Sequence, residues 1–382
     1  MVGLQKIFRC AMDSHPENPG HMNKHMQTLS EKYGIKKTDD FGIPVNLKSL
    51  VSLDEPPSSW VSKRLEIRSG WLDTLGFAAE PESDGLPEKK AEFSRPGCNA
   101  SVYRLPTTGG ATALTVLLEP LGGSGEKAPG AVVPFYTPDW MVGYDLAANR
   151  PITEHLELQF AYHLVQQGYK VVCIEAFPYN TVAEAEKYEG LDAWGEAAKQ
   201  LLAKNPDWTG AGRLVSDTTR AVDFLLAQDG VDPERIVAIG HSLGGKMAFM
   251  TAAYDERIKA AICSDFGIGW NFTNWNAPWY YGGKISAPGF PFGNHHLLGL
   301  IAPRPFLLIG GEADRPESRQ FLWEASKVYE LLGHTDRVGF IHHAAGHDPT
   351  ADSIRDAYGW LAEQFQLPAR PWHFIEPAHA QI

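Results

Sequence analysis

The chain has 382 residues, 43% of them hydrophobic and 21% charged, with a formal charge of −12. That balance suits one large α/β domain with an added segment, or two domains, and the acidity argues against nucleic acid or an anionic membrane surface as the main partner. Cys10, Cys98, Cys173 and Cys263 are widely spaced with no C-x-x-C pair, so neither a disulfide framework nor a zinc site is indicated.

The first twenty residues are polar and contain no apolar core of the kind a signal peptide carries. No stretch approaches about 18 uninterrupted apolar residues. The expectation is a cytoplasmic protein with no membrane span. Up to residue 95 the pattern is helical and proline-interrupted. Helices are expected at 23–33 and 59–77, the second with Trp60, Leu65, Ile67, Trp71, Leu72 and Leu75 as an irregular apolar face. This part carries too little apolar sequence for a core of its own. Residues 1–95 therefore read as a helical extension packed on a main domain at 96–382, as a plain support, a border of the active site or an oligomer contact.

From residue 100 the texture changes. Two apolar runs, 101–105 and 113–118, flank Thr107-Thr108-Gly109-Gly110 and read as an antiparallel hairpin. A third strand is expected at 130–136, a helix at 154–167 and a buried strand at 169–176. An amphipathic helix at 213–227 leads through Asp229-Gly230-Val231-Asp232-Pro233 into a further apolar strand. Strands at 257–263, 305–310 and 338–342 and helices at 317–332 and 351–365 complete the alternation. A hairpin followed by repeated strand and helix predicts a mostly parallel, doubly wound sheet with helices on both faces.

Between Ser264 and Ala302, after the sixth strand in this count, lies an insertion rich in glycine and aromatic residues, among them Trp270, Trp275, Trp279, Tyr280 and Tyr281. It is too irregular for a strand and too aromatic for a solvated loop. It reads either as a loop that buries its own rings or as a wall over the site, with Trp275, Trp279 and Tyr280 as substrate contacts. Its position, after a strand's C-terminal end, is where open α/β sheets bind ligands.

The chemistry centres on Gly240-His241-Ser242-Leu243-Gly244, which joins an apolar strand to a helical run. This is a G-x-S-x-G nucleophile elbow in the strand-turn-helix context it requires. A serine nucleophile needs a base in hydrogen-bond reach and an acid to orient that base. His347, which follows the last strand in a loop with Gly346, is the expected base, with His342 and His343 as rivals. Asp314 is the expected acid. Asp265, at the end of the preceding strand, is the alternative and Glu312 a third option. The oxyanion donors are expected from the Leu243 N–H and from the Phe135-Tyr136-Thr137 stretch, as a backbone N–H or the Tyr136 phenol. Lys246, one turn into the elbow helix, is either a substrate contact or the partner of a nearby carboxylate. His295 and His296 are adjacent but lack a third ligand at metal-binding spacing, so no metal or cofactor is expected.

These residues resemble the α/β-hydrolase superfamily over roughly residue 100 to the end, and more narrowly its dienelactone-hydrolase-like and acetyl-xylan-esterase-like branch. The matching pieces are Val231-Asp232-Pro233-Glu234-Arg235-Ile236, the elbow with Lys246, Asp255-Glu256-Arg257-Ile258, Asn274-Trp275-Asn276-Ala277-Pro278-Trp279-Tyr280, and Leu300-Ile301-Ala302-Pro303-Arg304-Pro305. The resemblance implies a cofactor-free serine esterase with Ser242, Asp314 and His347 as its triad and a small-molecule ester as its partner, with homo-oligomerisation left open. The chain is also similar to glucuronoyl esterases, through a lysine four residues past the serine and an acid at the Asp265 position. It has Leu243 where those enzymes carry arginine. Two rival readings are a peptidase of the prolyl-oligopeptidase kind and a non-catalytic binding protein on the hydrolase fold.

Overall fold

A computed structural model describes residues 27–36, 46–76, 85–122 and 127–374. The sheet is built on the apolar runs picked out above. Strands β1 (Glu88–Arg95), β2 (Cys98–Pro106) and β3 (Thr112–Pro120) precede β4 (Ala128–Phe135). Helix α3 (Pro138–Val142), a small ribbon β5 (Tyr144–Asp145) and β6 (Arg150–Pro151), and α4 (Phe160–Gln166) lead to β7 (Lys170–Glu175). Helices α5 (Asp192–Lys204) and α6 (Gly210–Leu226) precede β8 (Val231–His241), followed by α7 (Leu243–Tyr254) and β9 (Ala260–Ser264). The insertion carries α8 (Pro278–Tyr281) and ends in α9 (Asn294–Ile301). Strand β10 (Phe306–Gly310), helix α10 (Arg319–Leu331), β11 (Val338–His342) and α11 (Ala351–Phe365) close the chain.

The nine main strands run in the order β1-β2-β3-β7-β4-β8-β9-β10-β11. The strands from β7 to β11 in that order are parallel neighbours, and β1, β2 and β3 form an antiparallel flank. The central strands carry near-continuous apolar runs because both faces are covered. In β8, Ile236 and Ala238 enter the core under α6, α7 and α9, while Val237 and Ile239 enter the core under α3, α4 and α11.

The sequence reading missed β1. Its charged sequence shows no apolar alternation, because it is an edge strand exposed along most of its length. A bulge between Lys89 and Ala91 and the lysines along it suit an unpaired edge. With β1 counted, the insertion follows the seventh main-sheet strand, not the sixth. Helix α5 was also missed, and the expected helix at 154–167 shortens to α4, preceded by a 3-10 turn at Leu156–Leu158. Cys173 and Cys263 are buried, as expected for core residues.

Of the helices expected before residue 95, the first is described as α1 (Leu29–Tyr33) and the second as α2 (Pro57–Leu75). Residues 23–26 and Phe77 lie outside the described residues. Helix α1 has a capping box between Thr28 and Glu31. The Glu363 carboxylate of α11 accepts from the Leu29 and Ser30 N–H groups at its N-terminus. Next to it, Gly34 bridges Gly339 of β11, the open edge of the sheet.

Helix α2 buries Trp60, Ile67, Trp71 and Leu75 and leaves Leu65 and Leu72 exposed. Trp71 is fully buried among rings of the insertion: Trp270, Tyr281, Phe290 and Phe292 lie with centroids 5.8–5.9 Å away. The Lys284 amine of the insertion donates to the Asp73 and Thr74 carbonyls near the end of α2. No helix among the described residues is long and apolar enough to cross a membrane.

Truncating Trp71 removes the ring on which the insertion packs. Trp71→Ala is expected to lower unfolding stability by about 3–5 kcal/mol, measured by urea denaturation. Leu65→Ala on the exposed side of the same helix is expected to change it by less than about 0.5 kcal/mol. Equal effects of the two would show that the packing against the insertion is not what fixes α2.

Candidate active site

Ser242 stands between β8 and α7, as the N-cap of the helix, with φ 53° and ψ −116°, a conformation that L residues adopt only under constraint. The glycines around it are required by close approach. A Cβ on Gly240 would lie 2.2 Å from the Gly244 backbone, and one on Gly244 would lie 2.2 Å from the Pro134 carbonyl oxygen. The Ser242 N–H donates to the Ser264 carbonyl at 2.8 Å, which ties the elbow to the end of β9. Leu243 opens α7, so its N–H has no acceptor within the helix and is free for a developing oxyanion. Tyr136, one residue past β4, stands in hydrogen-bond contact with Ser242; burial pushes its phenol pKa up, and that contact partly opposes the shift.

The structure pairs His347 with Asp265, not with Asp314. His347 Nδ1 donates to Asp265 Oδ2 at 2.7 Å. The Asp265 hydrogen bond holds the imidazole pKa above its ordinary value, against the effect of burial. Asp265 is fully buried and follows β9 with φ 44°. Burial alone would raise its pKa, but the His347 bond and the N–H groups of Gly311, Glu312, Ala313 and Asp314 hold it down at about 2.

The expectation that Asp314 orients His347 is therefore corrected. Its carboxylate faces the other way and accepts from the Gly267 and Ile268 N–H groups at 2.8 and 2.7 Å and from the Ser318 hydroxyl at 2.9 Å. Burial raises its pKa to about 6. Asp314 is a brace for the loop that carries Asp265.

The rival histidines stay out of this pair. His342 ends β11, and His343 Nδ1 accepts from the Ala345 N–H. Glu312 meets Asp265 through its N–H alone. His295 and His296 are occupied by backbone groups: His295 Nε2 lies 2.9 Å from the Lys48 carbonyl oxygen, and His296 Nδ1 accepts from the Gly293 N–H at 3.0 Å.

Lys246 is buried, and its amine donates to Asn274 Oδ1 at 2.8 Å and to the Tyr280 hydroxyl at 3.4 Å. It lies 4.5 Å from the ring centroids of both Trp275 and Tyr280. Burial lowers its pKa to about 7. Its hydrogen-bond partners are thus an amide and a phenol, not the carboxylate that was one of the two expectations.

Trp275 is a second correction. It is 0% exposed, its Nε1–H donates to the Gly267 carbonyl at 2.6 Å, and it stacks on Tyr281. It is a core residue of the insertion and cannot touch a ligand directly. Tyr280 is also buried, whereas Trp279 is half-exposed.

Two neighbours of the site were missed in the sequence. Trp194 of α5 has its ring 6.1 Å from Tyr136 and 6.4 Å from both Trp279 and Tyr280. The helical spacing of Ala193, Trp194, Ala197, Ala198 and Leu201, all buried, was the available signal. His241 lies beneath His347, with ring centroids 4.5 Å apart, and burial with that neighbouring imidazole lowers its pKa to about 3. A cleft of about 500 Å³ between residues 46–48 and the insertion is lined by rings that include Trp270, Phe272 and Phe292, and by none of the residues around Ser242.

The model of the dienelactone hydrolase family matches residues 146–268, and that of the prolyl oligopeptidase family matches residues 210–367. YtaP of Bacillus subtilis (strain 168), named as a hydrolase, is 29% identical over 219 residues, 53% of this chain and 68% of its own. The 4-O-methyl-glucuronoyl methylesterase 1 of Sodiomyces alcalophilus is 27% identical over 145 residues, 29% of this chain and 28% of its own. The match thus spans less than a third of that esterase.

Among solved structures, a glucuronoyl esterase from Solibacter usitatus superposes with a TM-score of 0.62 at 18% identity, over 85% of this chain and 98% of the other. A Bacteroides fragilis NCTC 9343 protein named as an acetyl xylan esterase superposes with a TM-score of 0.60 at 18% identity, over 78% of this chain and 79% of the other.

If Asp265 orients the base, Asp265→Asn should reduce kcat by about 10⁴. Because the carboxylate raises the His347 pKa, its loss should also move the acidic limb of the kcat/KM profile to lower pH. Asp314→Asn should leave that limb in place and act mainly on the melting temperature. Steady-state kinetics across pH with a short-chain ester would check both; an unmoved limb in Asp265→Asn would contradict the pairing. The elbow, the sheet that carries it and these matches agree on an α/β-hydrolase fold, and the chain is similar to the dienelactone hydrolase family over residues 146–268 and to the prolyl oligopeptidase family over residues 210–367.

Proposed function

We propose that this carboxylic ester hydrolase removes an acetyl or other small acyl group, or cleaves a related ester, on a carbohydrate, through an acyl-enzyme on Ser242. The observation that supports it most strongly is the conjunction of the strained Ser242 at the elbow with the 2.7 Å pair of His347 and Asp265. In this reading His347 Nε2 takes the Ser242 proton as the hydroxyl attacks the ester carbonyl. The Nδ1–H bond to Asp265 fixes the tautomer and stabilises the imidazolium that forms. The Leu243 N–H and the Tyr136 hydroxyl donate to the oxyanion. Collapse expels the alcohol, which takes the proton from His347, and water repeats the sequence to release the acid.

The carbohydrate part of the proposal rests on two kinds of support. Relatives and structural neighbours are named as glucuronoyl and acetyl xylan esterases. The half-exposed Trp279 offers flat apolar surface, backed by the buried rings of Trp194 and Tyr280. In its protonated form Lys246 has three N–H donors, and Asn274 and Tyr280 take two of them, which leaves one for a substrate oxygen. With leucine after the nucleophile, no cationic side chain at that position meets the oxyanion, so the Tyr136 phenol takes a larger share of its stabilisation.

A peptidase is the second reading, favoured by the prolyl oligopeptidase family match over residues 210–367. That stretch carries the nucleophile, acid and base that the two activities share.

A fluorophosphonate should label the wild type and not Ser242→Ala. Acetylated xylo-oligosaccharides and aryl acetates should be turned over well above a proline-containing peptide amide. Tyr136→Phe should lower kcat by about 10²-fold with KM little changed. Faster turnover of the amide than of every ester would replace the esterase reading by the peptidase one. Absence of both labelling and turnover would favour a binding protein.

A further inference from the structure

Three side chains outside the triad converge at the rim of the catalytic-histidine loop. His155 and Glu157 lie in the segment before α4, and Asp348 directly follows His347. Each offers a ligand atom, and these atoms all lie within 4.8 Å of one another. His155 Nδ1 is 3.5 Å from Glu157 Oε1 and 3.7 Å from Asp348 Oδ2.

These separations are too long for charge-assisted hydrogen bonds, which close to about 2.7–2.9 Å. They suit ligands that share a cation. Donors about 2.0–2.2 Å from an ion stand roughly 3–3.6 Å from each other in tetrahedral or octahedral arrangements. Charge points the same way: among the described residues, the ion pairs of Glu157 and Asp348 are with histidines alone.

His241 supplies an independent observation from below. Its side chain is 2% exposed, and its Nε2 faces the other oxygen of Asp348, Oδ1, at 3.6 Å, while Nδ1 meets the Ser264 hydroxyl at 3.2 Å. At that separation there is no direct hydrogen bond, but a buried imidazole nitrogen flanks Asp348 from the core side, where outer partners of ligating carboxylates stand.

We propose that His155, Glu157 and Asp348 form a site for a first-row divalent cation such as Zn²⁺, which ties the loop after β11 to the segment before α4. One imidazole nitrogen with two carboxylate oxygens favours such an ion over Ca²⁺ or Mg²⁺, which take oxygen donors. The cation is a clamp on the loop that presents His347. The inference does not depend on which ester is cleaved.

The test titrates ZnCl₂ calorimetrically into the untagged full-length wild type, His155→Ala and Glu157→Gln, and measures melting temperatures with ZnCl₂, with CaCl₂ and with neither. Both substituted side chains are partly exposed, so the variants should melt like the wild type without metal. The wild type should bind one more Zn²⁺ than either variant and gain melting temperature with zinc that the variants do not gain. Absence of zinc stabilisation in the wild type, or zinc binding by both variants equal to the wild type's, would overturn the site. Equal stabilisation by calcium would overturn the assignment to a first-row transition cation.

Discussion

The site depends on a buried negative charge at Asp265. An ionised carboxylate removed from water is tolerated only when its oxygens are fully engaged. Here four consecutive backbone N–H groups, from Gly311 to Asp314, and the His347 imidazole share the two oxygens. The loop after β10 therefore wraps the acid, and the loop after β11 has to bring His347 to it. Asp314 completes the arrangement from the opposite direction. Its N–H serves Asp265, and its carboxylate holds Gly267 and Ile268 just beyond Asp265. The two aspartates brace each other's loops, and their environments drive their pKa values apart, to about 2 and about 6.

The elbow and the candidate base were legible in the sequence because each is a local signal. Glycines at fixed offsets between a strand and a helix mark Ser242, and a histidine in a glycine-bearing loop after the last strand marks His347. Which aspartate pairs with His347 was not legible. Asp265 and Asp314 both follow apolar strands, both are buried and both are ringed by N–H donors. What separates them is the left-handed backbone at Asp265 and the direction of each carboxylate, set by contacts between residues more than 40 apart in the chain. The rings of the insertion raise the same difficulty. Their number predicts burial or binding equally well, and only the fold shows Trp275 sealed in the core and Trp279 at its border.

Helix α2 gives the insertion its floor. An irregular loop of some forty residues needs apolar surface to pack on, and Trp71 provides it between Trp270, Tyr281, Phe290 and Phe292. From there the ring contacts continue through Trp275 to Tyr280 and Lys246 on the elbow helix. Helix α2 thus bears on the site through the insertion it supports. Strand β1, which the helical reading of residues 1–95 did not include, ends the antiparallel flank without disturbing the parallel centre that carries Ser242.

The most direct measurement of the pairing at the centre of the site is the proton NMR spectrum of the wild type at low pH, where a strongly hydrogen-bonded imidazole N–H resonates far downfield. The His347 Nδ1–H bound to Asp265 should give such a resonance in the wild type and in Asp314→Asn, and it should vanish in Asp265→Asn. A resonance that survives in Asp265→Asn and is lost in Asp314→Asn would contradict the pairing seen in the structure.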